Sequence, residues 1–250
     1  MNETLFSAAC ARALLRKPEG GGIGMLGEKS LHSALKFYYE PDASFHEREA
    51  FGFVADIRNE EGIIEIQTRN LYSMKRKLEA YLDKTPVTLV HPVVRQRRII
   101  YLDPETGELS RPRLSPKRGR AEDAFSELVH ILGPLSDPRL KLIVPIVDAE
   151  EYRVSGAGRK RRRGGAAPLK YELLPTAMVD ELVFSTPKEL VTLLPEGLRE
   201  SGKAFTVTEL SKAAKLPYRA ASAMCAVLLA AGALEREKVG RTYFYRIRKL

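Results

Sequence analysis

The stretch from Gly52 to Thr68 constrains the fold more than any other. Two apolar runs, Gly52-Phe-Val-Ala-Asp-Ile-Arg58 and Gly62-Ile-Ile-Glu-Ile-Gln-Thr68, carry the β-branched and aromatic residues of strands, and Asn59-Glu-Glu-Gly62 between them has turn composition. The spacing predicts an antiparallel hairpin. Each run is interrupted by one acid, Asp56 in the first and Glu65 in the second. A carboxylate in an apolar strand is costly unless something partners it. The expected partner is a metal ion, or a basic side chain such as Arg69.

The flanking segments extend the pattern. Leu26 to Tyr39 reads as a helix in which Leu31, Ala34, Leu35 and Tyr38 make one apolar face and Glu28 stands in the first turn. A polar loop follows before the hairpin. After it, Leu71-Tyr-Ser-Met-Lys-Arg-Lys-Leu-Glu-Ala-Tyr-Leu82 reads as a second helix, and Pro86-Val-Thr-Leu-Val-His-Pro92 as a buried strand. The order α, β, β, α, β resembles the core of the PD-(D/E)XK nuclease superfamily, in which an acid on the first helix joins an Asp and a Glu from neighbouring strands. The resemblance covers about seventy residues and implies an α/β (α+β) restriction-endonuclease-like core with a mixed sheet. The Gly-Glu-Lys-Ser-Leu-His and Ile-Glu-Ile-Gln-Thr-Arg-Asn segments also resemble those shared within a bacterial protein family.

The superfamily resemblance assigns roles. Asp56, Glu65 and the main-chain carbonyl of Ile66 would hold magnesium or manganese, and Glu28 would hold a metal-bound water or a second ion. Carboxylates are the hard oxygen ligands such cations prefer, and the cation polarises the phosphate and makes hydroxide available near neutral pH. The superfamily's lysine two residues beyond the strand glutamate is replaced here by Gln67, whose amide can orient a water but carries no charge. Lys75 or Lys77 on the next helix could supply the cation, Lys75 standing nearer the strand end. The plainer reading treats these residues as unconnected: Glu28 complements a helix dipole, Asp56 and Glu65 are polar positions on half-exposed strands, and Lys75 is a solvated charge.

A second signal lies near the other end. Thr206 or Thr208 can cap a helix with Leu210, Ala213 and Ala214 on its apolar stripe, and Lys215-Leu-Pro-Tyr218 breaks it. A second helix follows from about Arg219, buried along Ala220, Ala223, Met224, Val227 and Leu228, with Gly232 suited to its end. Leu234 to Arg248 alternates as a hairpin around Gly240. Helix, turn, helix and hairpin resemble the winged helix-turn-helix family. That resemblance implies that Tyr218, Arg219 and Ser222 face the DNA major groove and that Lys238 and Arg241 lie on the wing. The second helix is rich in alanine, so its contacts would fall mostly on phosphates, or the domain would serve dimerisation or protein contact.

Charge agrees with a nucleic-acid partner. Against 32 Asp and Glu stand 41 Lys and Arg, a formal net charge of +9. The excess clusters at Lys75-Arg-Lys77, Arg95-Gln-Arg-Arg98, Lys117-Arg-Gly-Arg120, Arg159 to Arg163 and Arg236 to Lys249, and such clusters attract phosphate backbones without reading sequence. Ser115 to Arg120 precedes an expected helix over Ala121 to Leu132, where its cations could grip a phosphate or form a basic connection. No apolar run approaches the roughly 18 to 20 residues of a membrane span. In the early stretch Thr4 to Lys17 the charges follow the apolar part, unlike a signal peptide. Two cysteines, one in each half, make neither a disulfide framework nor a zinc site, which fits a reducing cytoplasm. No phosphate-binding glycine motif, nucleophile elbow or kinase signature is present, which argues against nucleotide hydrolysis and acyl transfer.

The expected organisation is an N-terminal helical arm (1–22), a nuclease-like domain (23–150), a basic flexible loop (151–168) and a mostly helical winged helix-turn-helix domain (169–250). The expected function is a magnesium-dependent endonuclease acting on double-stranded DNA, with no membrane partner and with a homodimer compatible. The alternative is a non-enzymatic DNA-binding regulator or scaffold on a degenerate nuclease fold.

Overall fold

A computed structural model of the chain describes residues 2–15, 29–156 and 167–248. Glu28, the glycines among residues 20–24 and the basic run at 159–163 lie outside the described residues. In chain order the elements are α1 (Glu3–Leu15), α2 (Lys29–Tyr39), β1 (His46–Ala50), β2 (Phe53–Asn59), β3 (Gly62–Ile66), α3 (Lys75–Leu82), β4 (Val87–Val90) and β5 (Val93–Leu102). There follow β6 (Arg113–Leu114), α4 (Phe125–Leu128), β7 (Leu140–Val154), β8 (Leu169–Phe184), α5 (Glu196–Ser201), α6 (Val207–Ala214), α7 (Tyr218–Ala230), β9 (Leu234–Val239) and β10 (Thr242–Ile247). The architecture is mixed α/β, with a large mixed sheet and several helices. It divides into two units: Met1–His46, Pro92–Arg120 and Pro145–Glu181 form one, and Glu47–His91, Ala121–Val144 and Leu182–Leu250 the other.

In the first unit α1 packs on α2. Phe6 meets Tyr38 edge-on at 5.6 Å, and the Arg12 guanidinium lies 4.3 Å above the Phe37 ring while donating to the Pro41 carbonyl at 2.6 Å. Leu31, Ala34, Leu35 and Tyr38 are buried as their spacing predicts, but Phe37 and Lys36 are buried too, so α2 is enclosed well beyond one stripe. β5 runs parallel to β7 from Val93 opposite Ile146 to Leu102 opposite Val154, β6 pairs antiparallel with β5, and β8 pairs with β7. The segment expected to present cations near a helix start instead runs along β5: Ser115 N–H donates to the Arg97 carbonyl and Gly119 N–H to that of Arg95. Any Cβ on Gly119 would stand 2.4 Å from the Val94 oxygen, so only glycine fits.

Acids answer the arginines of β5. Arg95 forms a two-pronged pair with Asp148 at 2.9 and 2.6 Å. Buried Glu151 takes Arg97 at 3.3 Å and Arg153 at 2.6 Å, with Lys170 at 3.9 Å.

The second unit holds the predicted hairpin. β2 and β3 are antiparallel with Ile57 opposite Ile64 and Asn59 opposite Gly62. Gly62 has φ of 125°, and a Cβ there would meet the Pro86 carbonyl at 2.5 Å. β3 runs parallel to β4, and β4 parallel to the first residues of β7. Ala55, Ile57, Ile63, Ile66, Leu78 and Leu89 form its apolar centre. The expected helix over Ala121 to Leu132 is α4 flanked by short 3-10 turns, and α7 packs against it.

Four features differ from the expectations. The polar loop before the hairpin contains β1. Residues from 169 onward are not mainly helical: β8 occupies sixteen of them. Its Leu, Glu, Ala and Met content favours helix, yet pairing with β7 overrides that preference, and Pro175 is tolerated because β8 takes a strand neighbour on one side only among the described residues. On α7 the buried stripe is Ala221, Met224, Cys225, Val227 and Leu228, with Ala220 and Ala223 half-buried, so its start is rotated by one residue. On α6, Ala213 is exposed while Leu210 and Ala214 are buried.

Thr206 is the cap of α6: its Oγ1 accepts the Glu209 N–H at 3.3 Å, and Glu209 accepts the Thr206 N–H at 2.7 Å. Lys215, at φ of 52°, ends α6. Phe205 and Tyr245 exchange backbone hydrogen bonds at 2.8 and 2.7 Å, tying the residue before α6 to the β9–β10 hairpin.

Candidate functional site

Continuing the β2–β3 register one step past Ile57 and Ile64 sets Asp56 opposite Glu65, and directly opposed residues project from the same sheet face. Each carboxylate also accepts from the other's neighbourhood. Asp56 Oδ2 takes the Ile66 N–H at 2.9 Å, and Glu65 Oε1 takes the Asp56 N–H at 3.2 Å. Glu65 is only 1% exposed. Lys77 Nζ reaches its Oε2 at 2.7 Å.

Burial, and then the charge of Asp56, push the Glu65 carboxyl up to about 7, against the pull of Lys77. The cluster therefore holds two acids and one ammonium at a site from which water is largely excluded. Tyr81, one helical turn after Lys77, completes it. Its ring is fully buried with Lys77 Nζ 5.7 Å from the centroid. Among the described residues its hydroxyl has no hydrogen-bond partner. Burial, then the charges of Glu65 and Asp56, hold that hydroxyl well above the ordinary phenol range.

Of the sequence-predicted site residues, the structure brings Asp56 and Glu65 together and sets Ile66 beside them at the end of β3. Lys75 is exposed at the first residue of α3, and Lys77 makes the contact to Glu65. Gln67 Nε2 points to the Asn70 carbonyl at 3.5 Å, while the Gln67 carbonyl accepts from His91 Nδ1 at 2.6 Å. Burial holds the His91 ring below its ordinary pKa. Among the described residues no group of three His, Cys, Asp or Glu is arranged to hold a metal. The oxygens that could hold one are those of Asp56, Glu65 and the Ile66 main chain.

Tyr81 escaped the sequence reading, though its spacing of four from Lys77 puts the two on one helix face. Tyr218, Arg219 and Ser222 are all exposed on α7, as are Lys238 and Arg241 at the β9–β10 turn. On the hairpin face opposite Glu235 and Glu237, Arg236 lies 4.3 Å over the Tyr243 ring with Lys238 at 5.8 Å.

Comparison with known families places residues 29–185 in the family described as a domain of unknown function, DUF8091. The chain belongs to the DUF8091 family. The matched span contains Asp56, Glu65, Lys77 and Tyr81, so the cluster lies within the DUF8091 domain, and α6, α7 and the β9–β10 hairpin lie beyond it. A protein of Treponema pallidum (strain Nichols), described as uncharacterized, is 29% identical over 177 residues, 70% of each chain. No solved structure matches this DUF8091 protein. Among its described residues no helix is long and apolar enough to cross a membrane.

Proposed function

We propose that this DUF8091 protein binds nucleic acid and hydrolyses phosphodiester bonds with a divalent cation, on a restriction-endonuclease-like core followed by a winged helix-turn-helix. The observation that carries the reading is the shared face of Asp56 and Glu65 with Lys77 drawn onto it. The antiparallel β2–β3 pair, the helix α3 and the parallel strand β4 support it, because the order and sense match those of the PD-(D/E)XK core. α6, α7 and the β9–β10 hairpin, with Tyr218, Arg219, Ser222, Lys238 and Arg241 exposed, support a winged helix-turn-helix facing duplex DNA.

The donor set suits magnesium or manganese. Such ions keep several waters and take one or two carboxylates, which Asp56 and Glu65 provide with the Ile66 carbonyl. The buried, unpartnered Tyr81 hydroxyl leaves a polar atom for a ligand oxygen. When bound, the cation supplies Lewis-acid polarisation of a phosphate and a water of lowered pKa. Lys77 opposes the burial that pushes the Glu65 carboxyl up and offers the positive charge that Gln67 lacks. The Tyr81 ring shields that ion pair from solvent.

A second reading is a DNA-binding regulator without catalysis. It is favoured by the way the cluster closes on itself: Oδ2 of Asp56 and Oε1 of Glu65 accept backbone N–H groups, and Lys77 neutralises Oε2.

The deciding experiment is magnesium- or manganese-dependent cleavage of supercoiled, linear and branched DNA, comparing the natural protein with an Asp56→Ala, Glu65→Ala double variant that still binds. Cleavage by the natural protein and none by the variant is expected. Binding without cleavage on every substrate leaves the regulator, and failure to bind any nucleic acid overturns both.

A further inference from the structure

We infer that the tip of the β1–β2 hairpin is a base-stacking platform, and that nucleic acid reaches the acidic pair with unpaired nucleotides, as a single strand or a frayed end. The inference rests on the nucleic-acid reading above and names its substrate class.

Phe51 and Phe53 are 45% and 37% exposed, on a hairpin whose strands end beside the cluster. Both rings meet Tyr81 edge-on, at 6.2 and 6.0 Å between centroids. Tyr81 in turn is the residue whose ring carries Lys77 and whose hydroxyl feels Glu65 and Asp56. One buried side chain thus joins an exposed aromatic pair to the carboxylates. The Arg58 guanidinium stands 5.7 Å from the Phe51 ring, a cation beside the platform.

The turn itself argues that Phe51 is there for something other than folding. Phe51 and Gly52 are the whole loop, with φ of 48° and 83°. A two-residue loop with both φ positive is the setting for Asn-Gly or Asp-Gly, whose first residue tolerates the left-handed region. A phenylalanine there is strained, and nearly half of it stays exposed, so the position satisfies neither turn chemistry nor full core packing. Such a ring suits a nucleobase: every base presents a π-face, stacking is indifferent to sequence, and an adjacent cation answers the backbone phosphate. Bases inside an intact duplex are already stacked and cannot reach it.

The chain contains no tryptophan, so Phe51→Trp places a lone indole at the tip. Full-length natural protein, Phe51→Trp and Phe51→Ala would be titrated in EDTA with a labelled oligothymidine strand and with a blunt duplex of equal length, following anisotropy and indole emission. The strand should quench the indole saturably. Phe51→Ala should weaken strand binding by roughly five- to a hundredfold, the range for losing one stacked base. Phe51→Trp should retain strand binding, and the duplex should be affected less. A strand that binds the natural protein and Phe51→Ala equally, or binds Phe51→Trp without changing its emission, overturns the platform while leaving the nucleic-acid reading intact. If neither strand nor duplex binds the natural protein, both fall together.

Discussion

At the scale of single residues, Lys77 is the decisive position. Its ammonium is 2.7 Å from Glu65, whereas Lys75 is exposed two residues earlier. Lys77→Met is therefore expected to lower cation-dependent cleavage by on the order of a hundredfold, the cost of removing one preorganised charge, and Lys75→Met to change it within a few-fold. Steady-state rates on one DNA substrate separate the two. Glu65 makes a prediction about stability. Its carboxyl titrates near 4.5 in an unfolded chain and at about 7 in the folded one. The folded state holds the proton more tightly, so this contribution is complete below the lower value and is lost as pH rises through the upper one. In EDTA the urea midpoint should fall between about pH 5 and pH 8, and the Glu65→Gln variant should lose less over the same range. A midpoint as pH-dependent in Glu65→Gln as in the natural protein would refute it. The two acids were legible in the sequence because each broke an apolar run. Lys77 was legible only as one of two candidates, since helix phase decides between them and the start of α3 is not marked by a cap. Tyr81 and Phe51 were not legible, because a helical tyrosine looks like ordinary core and nothing in the sequence places a phenylalanine in the turn itself.

At the scale of elements, the hairpin and the C-terminal segment follow local chemistry closely. Gly62 is fixed by its φ and by the Pro86 carbonyl, so Gly62→Ala should cost at least about 2 kcal/mol. Thr206→Ala removes one half of a reciprocal cap and should cost about 1 kcal/mol. Denaturant midpoints of the two variants check both values, and an unchanged midpoint for Gly62→Ala would contradict the close approach. β8 was missed for the opposite reason. Its residues prefer helix locally, and its buried positions are Leu173, Pro175, Met178 and Phe184, so no clean alternation announces a strand whose pairing is set by a partner far along the chain. The displaced stripe of α7 has a related origin: in an alanine-rich helix, several phases bury similar area, and neighbouring elements choose among them.

For the whole molecule, the charge of +9 overstates the free positive surface. Arg95, Arg97 and Arg153 are engaged by Asp148 and Glu151. Under the nucleic-acid reading, Lys238→Ala and Arg241→Ala should each reduce the slope of log affinity against log salt by about one, whereas Arg97→Ala should leave it unchanged. Equal slopes for all three would place the contacts elsewhere.

The interleaving of the two units has a consequence for synthesis. The unit containing Asp56 and Glu65 is assembled from Glu47–His91, Ala121–Val144 and Leu182–Leu250. At typical elongation rates its opening strands leave the ribosome on the order of ten to thirty seconds before its last segment. During that interval α4 waits for α7, the helix that packs against it. A growing chain halted before residue 182 would thus leave that apolar face of α4, which carries Phe125 and Leu128, without its cover.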